Sequence, residues 1–170
     1  MSCLHPFGIL YLKLAGWKLE KNADLQLDKC VVIAAPHSSN WDFPHTVATG
    51  AALNLPFKVL LKHTVFRPPY GWFFKAIGAL PIDRRSSGNY VEKVAEMMHA
   101  RERIALVVAP EGTRTKGETW KSGFYHIAKA ADVPIALGFL DFENKRCGVR
   151  KTIYPIGTQA EVMDEIREFY

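Results

Sequence analysis

The sequence predicts an α/β fold: a single domain with a mainly parallel central sheet flanked by helices. Three observations predict it. Short apolar runs of strand length alternate with segments whose apolar residues recur at helical spacing. The strand–helix–strand order repeats along the chain, which calls for crossover connections and therefore parallel strands. The length, 170 residues, suits one core, and the 48% hydrophobic and 23% charged content is that of an ordinary globular protein.

Taken in order, the unbroken apolar run at residues 31–35 reads as a buried strand. Residues 42–53 read as a helix, with Ser39 or Asn40 as its N-cap. Residues 57–61 form a second strand, Pro68-Pro69 breaks the chain, and 70–77 make a short helix. A short strand at 79–82 precedes a helix over 89–102, where Val91, Val94, Ala95 and Met98 share one face. The apolar run 104–109 is a strand, 121–131 a helix, 133–139 and 149–154 strands, and 158–169 a closing helix. No linker, repeat or low-complexity stretch interrupts them.

Ahead of this domain, residues 1–25 read as an N-terminal amphipathic segment and 26–170 as the main body. Leu4, Phe7, Tyr11 and Leu14 recur at helical spacing, flanked by Lys13, Lys18 and Lys21. Such a helix either lies on a membrane surface or packs on the core. It cannot cross a bilayer: Lys13 ends the apolar run from Phe7 to Leu12, and a span needs about 20 residues. Nor does it carry the basic start and clean cleavage site of a secretory leader. Three widely spaced cysteines, Cys3, Cys30 and Cys147, with no Cys-x-x-Cys, point to a reducing, cytoplasmic setting. Lys and Arg total 22 against 17 Asp and Glu, a net charge of +5 that favours anionic partners.

The chemistry sits at strand ends. His37-Ser38-Ser39-Asn40-Trp41-Asp42 follows the first core strand directly. An imidazole at a strand exit, with a carboxylate close by to fix its tautomer, is a general base with its orienting partner. On one helix, five positions would set the two about 140° apart, so the chain must turn between them, and Ser38-Ser39-Asn40 supplies turn-forming residues. Pro110-Glu111-Gly112-Thr113-Arg114 follows another core strand. Arg114 offers a planar fork for phosphate or carboxylate, Gly112 permits close backbone approach, and Glu111 can hold the arginine or a substrate hydroxyl. Arg84 follows the strand at 79–82, Lys62 follows the strand at 57–61, and Lys121 opens the helix after the Glu-Gly-Thr-Arg loop. Open α/β sheets bind ligands at such carboxyl ends.

Several classes are excluded. There is no Gly-x-Ser-x-Gly elbow, no Walker loop, no Gly-x-Gly-x-x-Gly and no His-x-x-x-His, so covalent serine chemistry, nucleotide binding and a zinc site have no support. No nucleic-acid module is recognisable. What remains is a bound nucleophile activated for direct attack.

Four blocks in order give the chain a likeness. His-x4-Asp is His37 to Asp42; Gly-x-x-x-Ile-x-Arg corresponds to Gly78-Ala79-Leu80-Pro81-Ile82-Asp83-Arg84; then come Pro110-Glu111-Gly112-Thr113-Arg114 and Val133-Pro134-Ile135. Over about residues 30–140 the chain resembles the PlsC-like phospholipid/glycerol acyltransferases, the lysophosphatidic acid acyltransferase group. Two positions depart from the usual pattern: Pro36 stands where many members have Asn, and Pro81 where Phe is usual.

The resemblance implies transfer of a fatty acyl group from an acyl-CoA or acyl-carrier-protein thioester to a hydroxyl of a lysophospholipid or glycerol phosphate. It implies His37 as base, Asp42 as its orienter, Arg84 and Arg114 on the acceptor phosphate, and Glu111, Gly112 and Thr113 shaping that pocket. Lys62 and Lys121 are added from position and charge. A thioester is already activated, so no covalent intermediate, metal or resident cofactor is expected, though the developing oxyanion needs donors. The expected setting is peripheral, on the cytoplasmic face of a membrane, without nucleic acid. A non-catalytic lipid-binding protein of the same fold, and a thioesterase or lysophospholipase, are the alternatives. The aromatic run from Phe66 to Phe74, with Arg67 and Lys75, would sit at a bilayer interface or wall an acyl groove.

Overall fold

The computed structural model describes residues 4–21, 28–35, 42–82, 89–110 and 120–170, with only the backbone described at Lys62 and Ile82. The first helix, α1 (His5–Leu14), is followed by β1 (Lys18–Lys21), β2 (Lys29–Ala35), α2 (Asp42–Ala52) and β3 (Phe57–Lys62). A 3₁₀ turn (His63–Phe66) leads into α3 (Gly71–Ala76), β4 (Ala79–Ile82), α4 (Tyr90–His99) and β5 (Ile104–Val108). The chain closes with α5 (Gly123–Ala130), β6 (Ile135–Asp141), β7 (Arg146–Ile153) and α6 (Gln159–Phe169).

Among the described residues, seven strands form one sheet in the order β1-β7-β6-β2-β5-β3-β4. β2 is central and parallel to both β5 and β6; β3 is parallel to β5 and β4. β6 and β7 are antiparallel, and β1 runs parallel to β7. The sheet is thus mainly parallel, as the alternating pattern predicts, with a reversed pair at one margin.

Side-chain alternation divides the core. On one face, Val31, Ile33, Ile104, Leu106, Ile135 and Leu137 pack beneath α4, α5 and α6 through Val94, Met98, Phe124, Ile127, Val162 and Ile166. On the other, Cys30, Val32, Ala105 and Ala136 meet Leu53, Leu55 and Phe57, where α2 enters β3. Large residues on one face and small ones on the other let α2 approach the sheet closely. The chain order β2, β3, β4 and then back to β5 and β6 gives the same division. Right-handed crossovers put α2 and α3 on one side and α4 and α5 on the other.

α1 forms a further layer on α2, through a glycine. A Cβ on Gly8 would lie 2.6 Å from the Ala48 carbonyl oxygen and 2.8 Å from the Ala52 nitrogen, so only glycine lets the two helices meet at this spacing. Gly8 and Leu12 are the buried residues of α1, whereas the Leu4, Phe7, Tyr11 and Leu14 stripe is exposed. The helix therefore packs on the body by its opposite face. It ends in a Schellman motif: Gly16 (φ 74°) donates to Lys13 O, and Trp17 N donates to Leu12 O at 2.8 Å.

That reversal feeds β1, a strand the sequence reading does not anticipate. Lys18 and Lys21 stand on this short charged edge strand rather than on a helix flank. Glu20 pairs with Arg146 and with Arg150 (2.8 Å), and Arg150 lies 4.0 Å over the Phe139 ring. The Arg150 hydrogen bond, more than any other contact, lowers the Glu20 pKa below the usual carboxylate range.

At the other end of the chain, α6 opens with a capping box. Thr158 Oγ1 accepts from the Glu161 amide, and the Glu161 carboxylate accepts from Thr158 N at 2.8 Å. Thr158→Ala should lower Tm by about 2–4 °C in a thermal melt. Hydrogen bonds from Thr158 also hold the Glu161 pKa low. Because that value is depressed in the folded state, the cap's contribution is complete above the unfolded carboxylate range. It is lost as pH falls through the folded value, so the Tm gap between wild type and the variant should narrow in acid.

Candidate active site

The five strands that run in the direction of β2 deliver their ends to one edge. The carboxyl ends of β2 (Ala35), β3 (Lys62), β4 (Ile82), β5 (Val108) and β6 (Asp141) lie side by side there. The residues singled out by sequence follow these ends in the chain: His37 two after Ala35, Arg84 two after Ile82, Glu111 three after Val108. Asp42, Lys121 and the Lys62 backbone are described. His37, Arg84, Glu111, Gly112, Thr113 and Arg114 lie outside the described residues, as does the Lys62 side chain.

Asp42 is the first residue of α2 and is 2% exposed. It starts a helix, where the macrodipole and free amide groups favour a carboxylate. Burying an ionised carboxylate without compensation is costly, so such a residue is held by partners. It lines a cavity of about 50 Å³ between α2 and the sheet. Val32, Ala35, Leu53, Phe57, Val107 and Phe139 make that cavity predominantly apolar, with Thr46 and Thr49 on its helical wall. Gly138 borders it from the sheet side, where an added Cβ would come within 2.9 Å of the Ile33 carbonyl oxygen.

The loop after β5 is pinned at its base. Lys121 N donates to Pro110 O at 2.9 Å, so the residue before Glu111 and the one opening the next segment meet at one point of the edge. Trp120, beside Lys121, packs its ring 5.2 Å from that of Tyr170. The Tyr170 hydroxyl in turn donates to Gly138 O at 2.5 Å. Lys121 itself is exposed.

A second feature of this edge escapes the sequence reading. His45, one turn after Asp42 on α2, is enclosed by Tyr11, Trp17 and Phe142, with ring centroids 5.5, 4.5 and 5.4 Å away. This aromatic knot ties α1, α2 and the β6–β7 turn together next to Asp42. The i, i+3 relation of Asp42 and His45 on one helix was its signal in the sequence. The aromatic partners come from segments far apart in the chain.

Two of the three thiols, Cys30 and Cys147, are described, and Cys3 lies outside the described residues. Cys30 and Cys147 are free and buried. Burial pushes the Cys30 thiol up to about 12. Burial raises Cys147 as well, with Thr49 acting in the opposite sense. Neither should react with iodoacetamide in the native state at neutral pH, whereas both should be labelled in denaturant; mass spectrometry of the alkylated peptides reads the difference.

Among the described residues no helix is long and apolar enough to cross a membrane, and no cluster of His, Cys, Asp and Glu suits a metal ion. Residues 17–136 match the family described as Acyltransferase. No curated protein matches the chain. The matched region runs from the knot residue Trp17 to the start of β6 and takes in β2, β3, β4 and β5 whole, four of the five strands that end at the candidate edge. On that match, the chain belongs to the acyltransferase family, that of the PlsC-like phospholipid/glycerol acyltransferases, and acyl transfer is its chemistry.

Proposed function

We propose that the protein is an O-acyltransferase that moves a fatty acyl group from an acyl-CoA or acyl-carrier-protein thioester to a hydroxyl of a lysophospholipid or glycerol phosphate. The observation that carries this reading is Asp42, a buried carboxylate at the carboxyl edge and at the rim of an apolar cavity. His37 is the imidazole nearest before it in sequence.

In this mechanism His37 takes the proton of the acceptor hydroxyl as its oxygen attacks the thioester carbonyl carbon. Asp42 orients the ring and stabilises the imidazolium. The tetrahedral intermediate collapses with cleavage of the C–S bond, and the departing sulfur takes the proton back from His37. The products are an ester and a free thiol, and no acyl group is attached to the protein. Arg84 and Arg114 grip the acceptor phosphate, Glu111, Gly112 and Thr113 shape the pocket, and Lys62 and Lys121 add positive charge. The cavity beside Asp42 has room for part of an apolar chain rather than the whole.

The exposed stripe of α1 belongs to the same reading. Phe7 and Leu14 are 68% and 80% exposed, and Lys13 lies beside them. A helix with this outer face rests on the cytoplasmic face of a membrane, where the lipid acceptor is found.

The test is mass spectrometry of products from a panel of thioester donors and lysolipid or glycerol phosphate acceptors. Acceptor-dependent formation of an ester with release of thiol supports the proposal. Free fatty acid formed at the same rate with or without acceptor would make the protein a thioesterase or lysophospholipase. Lipid bound stoichiometrically without turnover would make it a binding protein.

A further inference from the structure

The segment between β3 and β4 exposes more aromatic surface than any packing need explains. Tyr70 and Trp72 are 68% and 74% exposed, and Phe73 and Val65 are also on the surface. Arg67 and Lys75 stand among them, both exposed. The group is built rather than frayed. The backbone of Gly71 packs so tightly under Phe66 O that a Cβ there would collide with it. Phe73 meets Phe74 edge to face at 5.7 Å, and Phe74 meets Phe66 at 6.4 Å. Phe66 and Phe74 are half-buried and hold Trp72 and Tyr70 outward.

Charge on this side of the molecule is one-sided. From residue 43 to residue 82 the chain contains no Asp or Glu, and none occurs before Glu20. These stretches build α1, nearly all of α2, β3, the 3₁₀ turn and α3. Asp42, the single carboxylate of α2, is buried. The opposite face differs: α4 and α6 expose Glu92, Glu96, Glu161, Asp164, Glu165 and Glu168. The adjoining β6–β7 turn brings one exposed carboxylate, Glu143, but the helices and turns of this face expose lysine, arginine and aromatic rings without a carboxylate of their own, a pattern complementary to an anionic lipid surface.

Geometry supplies the remaining element. α3 follows β3 at the carboxyl edge, and the right-handed crossover puts it on the same side of the sheet as α2 and the α1 layer. α1 lies toward the β6–β7 margin and α3 at the β4 margin. We infer that the segment from Val65 to Lys75 is a second membrane contact, which with α1 docks this whole face on an anionic bilayer and holds the carboxyl edge against lipid. This inference rests on the peripheral reading of α1 given above. It goes further in making the attachment two-point and oriented, and in assigning the lipid charge.

The test compares the wild-type protein with Trp72→Phe and with Trp72→Ala/Tyr70→Ala. Vesicles are of phosphatidylcholine alone, or with phosphatidylglycerol, and carry bromine on the acyl chains. The emission that Trp72→Phe removes should shift to the blue and be quenched on the anionic vesicles. Trp72→Ala/Tyr70→Ala should lower the vesicle partition coefficient about tenfold or more without changing Tm. Three results would overturn the inference: no quenching of the Trp72 emission while the protein is vesicle-bound, equal quenching on phosphatidylcholine alone, or concentration-dependent self-association that buries Trp72 without lipid. Acyl transfer to a water-soluble acceptor, measured without vesicles, fails only if the chemical reading is wrong, so the two failures are distinguishable.

Discussion

Replacing His37 with alanine should lower kcat by about 10²–10⁴-fold, the usual contribution of a positioned general base. The KM values for donor and acceptor should change little, because the imidazole acts on a proton in flight rather than on ground-state binding. Wild-type activity should fall on the acid side as the imidazole protonates, and the residual activity of His37→Ala should lose that limb. Asp42→Asn should cost about 10²-fold or more in kcat, since the amide can no longer stabilise the imidazolium. The thermal midpoint of the variant, read alongside kcat, separates this loss from unfolding.

The second large effect concerns acceptor recognition. Arg114→Ala should raise KM for a phosphate-bearing acceptor by about 10- to 100-fold, since hydrogen bonds to a charged group contribute about 1.5–3 kcal/mol. An acceptor alcohol without phosphate should be affected little. Arg114→Lys should restore only part of the loss, because an ammonium replaces a planar fork by a point charge. The measurement is steady-state kinetics with paired acceptors that differ in the phosphate alone. Equal losses for both acceptors would remove Arg114 from phosphate binding.

How much of this was legible in the sequence follows from what each element depends on. β2, β3, β5 and α4 are written in local apolar patterns, and their observed bounds fall within a few residues of expectation. The mainly parallel sheet follows from their alternation. β1 was illegible because Lys-Leu-Glu-Lys has no strand signature; it exists by pairing with β7 and by the Glu20 ion pairs, about 130 residues away in the chain. For α1 the periodicity marked the wet stripe. The dry side is Gly8 and Leu12, and a glycine that meets a helix backbone cannot be recognised without that helix.

The site divides in the same way. Asp42 opens α2 as expected, Lys62 is the last residue of β3 rather than the one after it, and Lys121 stands two residues ahead of α5 rather than opening it. The burial of Asp42, the cavity beside it and the His45 knot depend on contacts among α1, α2 and the β6–β7 turn that no single window contains.

A double-mutant cycle tests the central claim most directly: kcat of wild type, His37→Ala, Asp42→Asn and the double variant, with ester product quantified by mass spectrometry. If Asp42 acts through the imidazole, the double variant will be about as slow as His37→Ala alone. If the two losses multiply, or if His37→Ala forms ester at the wild-type rate, the hydroxyl is activated by some other group and the account fails.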